Sequence, residues 1–225
     1  MRYRKLGTTN IDVSVICLGT MTWGEQNSET DALDQINYAV EAGINFFDTA
    51  EIYPVMPRKE TYGKTEEIIG NWFKQSGKRD KIILATKIAS KSEGLEWIRK
   101  GKDKLGFDKK NMNAAVDASL QRLQTDYIDL YQLHWPERKV PLFGKLDFQY
   151  DPYDTDWEPI EEVLGNLNDL IIAGKVRYVG LSNETPWGTM KFLQKSKEKN
   201  LPRMMSIQNV YSLVNRVFDT ANSEV

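Results

Sequence analysis

The sequence predicts an α/β fold with a parallel sheet and helices on its outer face. Two observations lead to this prediction: short apolar segments alternate strictly with helical segments, and the apolar segments contain few polar residues. Strands joined through helices run parallel, and strands covered on both faces are almost entirely apolar. With 40% hydrophobic and 28% charged residues, the chain is typical of a folded domain, and we expect a single domain over residues 1–225.

The first predicted elements are a hairpin and a short strand. Residues 3–6 and 11–13 flank a Gly-Thr-Thr-Asn turn at residues 7–10, which is typical of a hairpin. Residues 15–18 form an apolar run, and we expect a buried strand there with Cys17 as a small core residue. A single cysteine excludes an internal disulfide and is typical of a reducing compartment, so we expect a cytoplasmic protein.

Helices and strands alternate along the rest of the chain. The predicted helices have apolar residues at helical spacing and cover residues 28–43, 65–75, 114–123, 160–171 and 186–193. The predicted strands lie at residues 44–48, 82–87, 127–134 and 176–181 and within 201–210. Ser28 followed by Asp31 is typical of a helix start, and Gly43 and Gly174 are typical of helix ends.

Loop lengths indicate which end of the sheet carries function. The links from helix to strand are short, whereas the links from strand to helix cover residues 50–64, 88–109 and 135–157. The elaborated loops therefore follow the carboxyl ends of the strands. This is the end at which α/β barrels carry their active sites.

Polar residues recur at the ends of three successive predicted strands. Asp48, Lys87 and His134, the only histidine, each lie at a strand end, and Tyr53 follows Asp48 by five residues. Each residue alone is typical of a turn, a surface or a core position, and Tyr62 is a competing tyrosine in the same loop. Together, a carboxylate, a phenol, an amine and an imidazole at one sheet edge predict a proton-transfer site.

Composition argues against several other classes of site and partner. One histidine, one cysteine and scattered acidic residues lack the spacing of metal ligands, so we expect no metal site. A net charge of −2 gives no reason to expect binding to nucleic acid or to an anionic membrane. We expect neither a signal peptide nor a membrane helix, since no run approaches the roughly 20 apolar residues that such a helix needs.

The residues leave two sheet architectures open. Six predicted strands do not close an eight-stranded barrel, so the chain is either a fragment of a longer barrel or an open doubly wound sheet. The doubly wound alternative lacks its usual phosphate-binding motif, because residues 19–24 do not have the G-x-G-x-x-G spacing.

Six short motifs resemble the aldo-keto reductases and fall in the order of that family. They are Phe-Asp-Thr-Ala-Glu-Ile-Tyr at 47–53, Gly-Thr at 19–20, Thr-Lys at 86–87, Leu-His-Trp-Pro at 133–136, Gly-Leu-Ser-Asn at 180–183 and Gln-Asn at 208–209. Residues 19–27, 50–57, 123–127 and 211–216 further resemble the bacterial Tas type of the family. The resemblance implies a (β/α)8 TIM barrel with an N-terminal β-hairpin. About six βα units are present, so we expect a C-terminally truncated chain.

The resemblance also implies an NADP(H)-dependent reductase of a small aldehyde or ketone, with Asp48, Tyr53, Lys87 and His134 as the catalytic residues. Hydride addition leaves negative charge on the carbonyl oxygen, and an acid must protonate it. We hypothesise that Tyr53 is this acid and that the ammonium of Lys87 lowers its pKa from about 10. Asp48 would pair with Lys87, and His134 would orient the carbonyl.

Further residues are implied in cofactor and substrate binding. The implied cofactor-binding residues are Gly19, Thr20, Met21, Asp48, Ser182, Asn183 and Gln208. The implied walls of the substrate pocket are Trp23 and Trp135, for which ordinary loop packing is the alternative. Ser182 and Asn183 are also typical of a helix N-cap, whereas we expect Gln208 to be a buried amide that needs partners.

Two other functions remain open. One is a cofactor-binding sensor or channel-associated subunit on the same barrel, because the cytoplasmic β-subunits of voltage-gated potassium channels also resemble residues 47–51. Those subunits tend to lack a histidine at the position of His134, so its presence favours catalysis. The other is an inactive, truncated pseudoenzyme. The sequence leaves the substrate and the oligomeric state open.

Overall fold

The structure, a computed structural model, describes residues 1–99, 105–143 and 147–225. The strands are β1 (Tyr3–Lys5), β2 (Asp12–Ser14), β3 (Leu18–Gly19), β4 (Phe46–Asp48), β5 (Ile83–Ile88), β6 (Ile128–Leu133), β7 (Val176–Ser182) and β8 (Met204–Gln208). The α-helices are α1 (Glu29–Glu41), α2 (Lys64–Ser76), α3 (Lys109–Leu123), α4 (Ile160–Ile172), α5 (Pro186–Lys199) and α6 (Val217–Ala221). No helix within these ranges combines the length and the apolar character needed to cross a bilayer.

The main sheet is parallel and curls into half of a barrel. Within the described residues it has six strands in the order β3-β4-β5-β6-β7-β8, so the spatial order follows the chain order. A doubly wound sheet would reverse its strand order at a switch point, and this sheet does not. The predicted α/β fold is confirmed as a partial TIM barrel, with strands β3 and β8 at its two edges.

The antiparallel hairpin of β1 and β2 packs against the inner face of the sheet. Its apolar side chains Leu6, Ile11 and Val13 form one buried cluster with Ala85 of β5 and Leu130 of β6. Because side chains alternate along a strand, the residues two positions further along β5 and β6 face the same interior. The hairpin fills one end of the curled sheet and leaves the carboxyl end of the strands, which we call the mouth, for polar residues.

Most of the core lies between the sheet and the outer helices. One cluster joins helices α3 and α4 to strands β6 and β7, and a second joins helices α1 and α2 to strands β4 and β5. Helix α3 begins at Lys109, five residues before the predicted start, with Asp108 as its N-cap. The sequence misses this turn because residues 109–113 carry little apolar periodicity.

The predicted buried strand at residues 15–18 is wrong. Strand β3 covers only Leu18 and Gly19, whereas Val15 and Ile16 are 38% and 55% exposed and Cys17 is also exposed. Strand β3 is an edge strand that pairs with β4 on one side only. Cys17 is therefore not a core residue.

A glycine allows α2 and α3 to approach closely. A Cβ atom at Gly70 of α2 would overlap the backbone carbonyl of Arg122 in α3. We therefore expect Gly70→Ala to lower the free energy of unfolding by about 1–3 kcal/mol, measured by urea denaturation. Gly165 of α4 is the matched control, because no atom lies within 4 Å of a Cβ placed there. Gly165→Ala should raise stability by about 0.5–1 kcal/mol. A Gly70→Ala variant as stable as the wild type would contradict the close contact.

Candidate active site

The four predicted catalytic side chains lie together at the mouth. Asp48 ends β4, Lys87 is the penultimate residue of β5, and His134 directly follows β6. Tyr53 lies in the loop after β4, and its side chain contacts Lys87 and His134. All four are buried, and Lys87 is only 1% exposed. Adjacent parallel strands explain the meeting of the first three residues, since their carboxyl ends share one edge.

Lys87 has three oxygen atoms around its ammonium group. Its Nζ donates to Asp48 Oδ2 at 2.7 Å, to the backbone carbonyl of Thr49 at 2.7 Å and to the Tyr53 hydroxyl at 3.3 Å. Burial alone would lower the pKa of Lys87, but Asp48 and then Tyr53 outweigh burial and raise it. The amine therefore stays charged beside the phenol.

The expected lowering of the Tyr53 pKa does not occur as a net effect. Burial raises this pKa most, the positive charge of Lys87 opposes burial, and the Asp48 carboxylate adds to it. The net pKa lies above the ordinary value of 10. Our prediction neglected the desolvation of the phenolate, which disfavours its charge. Tyr53 is therefore protonated at neutral pH, the state that a proton donor needs.

His134 is an uncharged imidazole in contact with the Tyr53 ring. The two ring centroids are 5.5 Å apart at an interplanar angle of 78°. Burial, and then the positive charge of Lys87, hold the pKa of His134 well below 6.5. Its Nδ1 atom is buried and has no hydrogen-bond partner among the described residues. A neutral imidazole can donate a hydrogen bond to a carbonyl oxygen placed against it.

The buried state of His134 predicts a pH-dependent stability. In the unfolded chain its pKa returns to about 6.5, so below that pH the unfolded chain binds a proton that the folded protein does not. The free energy of unfolding should therefore fall by about 1.4 kcal/mol per pH unit as the pH drops below about 6.5. His134→Gln should lack this contribution, and urea denaturation at several pH values would measure the difference. Equal slopes in the two proteins would contradict a buried neutral imidazole.

Sequence reasoning missed Gln132, which lies on the same face of β6 as His134. Its side-chain Nε2 donates to Asp48 Oδ1 at 3.1 Å, and the residue is 2% exposed. The sequence contained one indication of this role: Gln132 lies two residues before His134, and residues two apart on a strand face the same side.

A second missed feature is the buried carboxylate of Glu51. Arg99 binds it with two nitrogens at 2.8 and 2.9 Å, and the Tyr62 hydroxyl donates to it at 3.0 Å. The backbone NH of Ala89, just after β5, donates to the same carboxylate at 2.7 Å. Glu51 thus connects the loop that contains Tyr53 with the end of strand β5. Its arginine partner is 48 residues away, and no local pattern indicates it.

The predicted cofactor residues at the far side of the mouth connect β6, β7 and β8. Ser182 Oγ donates to the Gln208 carbonyl at 3.0 Å, and Asn183 Nδ2 donates to the His134 carbonyl at 2.9 Å. Gln208 is exposed, which corrects our expectation of a buried amide, because β8 is an edge strand. Its side-chain amide has no hydrogen-bond partner in the described part of the chain.

The helix after β7 is capped by a residue other than those we predicted. Thr185 is the N-cap of α5, and its side-chain oxygen accepts from the backbone NH of Gly188 at 3.1 Å. The N-cap alternative for Ser182 and Asn183 is therefore wrong. Asn183 instead has a left-handed backbone with φ of 52°, and its side chain donates to the carbonyl of His134, just after β6.

The residues after β3 lie beside Asp48. The Thr20 hydroxyl donates to the Asp48 carbonyl at 2.8 Å and is 1% exposed. Met21 is 46% exposed, and a Cβ placed at Gly19 would have no atom within 4 Å. Gly19 and Met21 therefore border open space next to the acidic residue.

The two predicted pocket tryptophans have different surroundings. Trp135 lies at the mouth, where its ring centroid is 4.8 Å from that of His134. Trp23 does not reach the mouth: it is 1% exposed in the core between the sheet and the helices, and its indole NH donates to Gln35 of α1 at 2.9 Å. Trp23 is therefore a packing residue, the alternative to a wall of the substrate pocket.

Comparisons with known proteins show which family this chain resembles. The family model described as "Aldo/keto reductase family" matches residues 15–224. Protein Tas of Escherichia coli (strain K12) is 46% identical over 229 residues, covering 100% of this chain and 64% of Tas. The uncharacterized oxidoreductase YrpG of Bacillus subtilis is 35% identical, covering 100% of this chain and 61% of YrpG. An aldo-keto reductase of Babesia bovis is 46% identical, covering 60% of this chain and 49% of its own length. The chain thus spans less than two thirds of the length of these relatives.

Proposed function

Because the chain belongs to the aldo/keto reductase family, we propose that the protein is an oxidoreductase that reduces the carbonyl of a small aldehyde or ketone with NADPH. The observation that carries the proposal is the approach of the Lys87 ammonium to the Tyr53 hydroxyl, 3.3 Å away, beside the neutral ring of His134. This arrangement supplies a proton donor and a hydrogen-bond donor at one point.

In the proposed reaction, Tyr53 gives its phenolic proton to the carbonyl oxygen as negative charge develops there. Burial keeps the phenol protonated before the reaction, and the ammonium of Lys87 stabilises the phenolate that remains. Asp48 keeps Lys87 charged and oriented through the 2.7 Å ion pair. His134 donates a hydrogen bond that orients the carbonyl oxygen toward Tyr53.

The residues around the mouth fit a nicotinamide cofactor. Its carboxamide requires both a donor and an acceptor, and the exposed amide of Gln208 offers both without losing another hydrogen bond. Gly19 and Met21 border open space beside Asp48. Gly19, Thr20, Met21, Ser182, Asn183 and Gln208 would hold the cofactor, which when bound supplies the hydride.

The test is a turnover assay with the full-length protein. We expect oxidation of NADPH in the presence of small aldehydes and ketones, measured as loss of the reduced nicotinamide absorbance, with NADH as the comparison cofactor. A reaction without carbonyl compound serves as the blank. Tight NADPH binding without turnover across the panel would contradict the reductase proposal and favour a cofactor-binding sensor.

A further inference from the structure

Both carboxylate oxygens of Asp48 have a partner. Oδ2 accepts from Lys87 at 2.7 Å, whereas Oδ1 accepts from the side-chain amide of Gln132 at 3.1 Å. We propose that Gln132 is a positioning residue, which holds the Asp48 carboxylate in the orientation that aims the ammonium of Lys87 at Tyr53. This inference rests on the proposed reductase function.

The strand register explains how the amide reaches Asp48. Gln132 of β6 is the direct register partner of Lys87 in β5, and Asp48 lies on β4, the next strand along. Adjacent strands are about 4.8 Å apart, so a side chain on β6 must extend across β5 to reach β4. A glutamine is long enough for this crossing, whereas an asparagine at the same position is one methylene group shorter.

A neutral donor suits this position better than a second cation. Lys87 already balances the charge of Asp48, and another ammonium would compete for the same carboxylate. The amide adds a directed hydrogen bond and leaves the charge unchanged. Gln132 is 2% exposed, and a buried amide is costly unless it is hydrogen-bonded, so the contact with Asp48 offsets that cost.

Two substitutions separate the hydrogen bond from the volume of the side chain. Gln132→Met keeps the length and removes the donor, whereas Gln132→Asn keeps the amide and shortens its reach. The matched control is Tyr131→Phe on the same strand. The Tyr131 side chain belongs to the outer core, and its buried hydroxyl has no hydrogen-bond partner among the described residues.

We expect both Gln132 variants to lower kcat by about 10-fold, the usual effect of losing a hydrogen bond to a charged group. The KM for the carbonyl substrate should stay within about twofold, because Gln132 acts on Asp48 and not on the substrate. Tyr131→Phe should leave both constants unchanged. A raised KM with unchanged kcat would overturn the inference, as would full activity of Gln132→Met.

A double-mutant cycle tests whether Gln132 acts through Asp48. In an Asp48→Ala background, Gln132→Met should change kcat by less than about twofold, since the side chain that Gln132 holds is gone. Independent, multiplying losses would overturn the inference. The same four proteins without cofactor should show non-additive urea midpoints, and additive midpoints would also overturn it. If the wild type reduces no carbonyl, the proposed function fails, while the urea cycle still decides whether Gln132 holds Asp48.

Discussion

Replacing Tyr53 with phenylalanine is expected to lower kcat/KM for carbonyl reduction by about 10²–10⁴-fold, the usual contribution of a positioned proton donor. The substitution removes one hydroxyl, whose hydrogen bond is the 3.3 Å contact with Lys87. The ring remains in its buried cluster with Ile52 and Trp135, so the fold should persist. Steady-state kinetics with NADPH and an active aldehyde would measure the loss, and fluorescence titration should show NADPH binding within about twofold of wild type.

Tyr62 provides the matched control for Tyr53, because it is the other tyrosine in the same loop. Its hydroxyl donates to Glu51 and makes no hydrogen bond to Lys87 or His134. We expect Tyr62→Phe to lower kcat/KM by less than about 10-fold, since it loses only one supporting hydrogen bond. Near wild-type activity of Tyr53→Phe, or a larger loss in Tyr62→Phe, would exclude Tyr53 as the general acid.

Replacing Arg99 with methionine is expected to lower the free energy of unfolding by about 3–5 kcal/mol, more than either Gly70→Ala or Arg216→Met. Arg99 binds Glu51 through two hydrogen bonds, and the side chain of Glu51 is fully buried. Without the guanidinium, that carboxylate keeps Tyr62 and the NH of Ala89 as its only partners among the described residues. A buried charge without a counter-charge is costly. Urea denaturation at neutral pH would measure the loss.

An exposed ion pair is the control for Arg99. Arg216 pairs with Asp219 on the surface, with side chains 57% and 40% exposed. Arg216→Met should cost no more than about 1 kcal/mol, because solvent screens such pairs. Adding Glu51→Leu to Arg99→Met should recover part of the lost stability by removing the uncompensated charge. Equal losses in Arg99→Met and Arg216→Met would show that the buried pair has no special role.

The sequence predicts the strand-end residues well and the burial of Cys17 and Gln208 poorly. Asp48, Lys87 and His134 could be placed at one edge because alternating strands and helices fix a parallel sheet. We expect Cys17 and Gln208 to be buried, but in this partial barrel β3 and β8 each pair with one neighbouring strand. Both lie on or beside edge strands and are exposed.

Partners that lie far apart in the chain were also beyond sequence reasoning. Glu51 and Arg99 pair across 48 residues, and Gln132 reaches Asp48 across 84. Neither sequence separation corresponds to the period of a helix or a strand, so these groups meet only in the folded protein. The net rise in the Tyr53 pKa has the same origin, because burial depends on neighbours that the local sequence does not specify.

The three acceptors around Lys87 Nζ also bear on side reactions of this amine. Aldehydes condense with free amines to form imines, and the amine must first lose its proton to become a nucleophile. The amine of Lys87 is held protonated, and its hydrogens point at oxygen atoms of the protein. In the proposed reaction, Lys87 can therefore lie beside a reactive carbonyl group without forming a Schiff base.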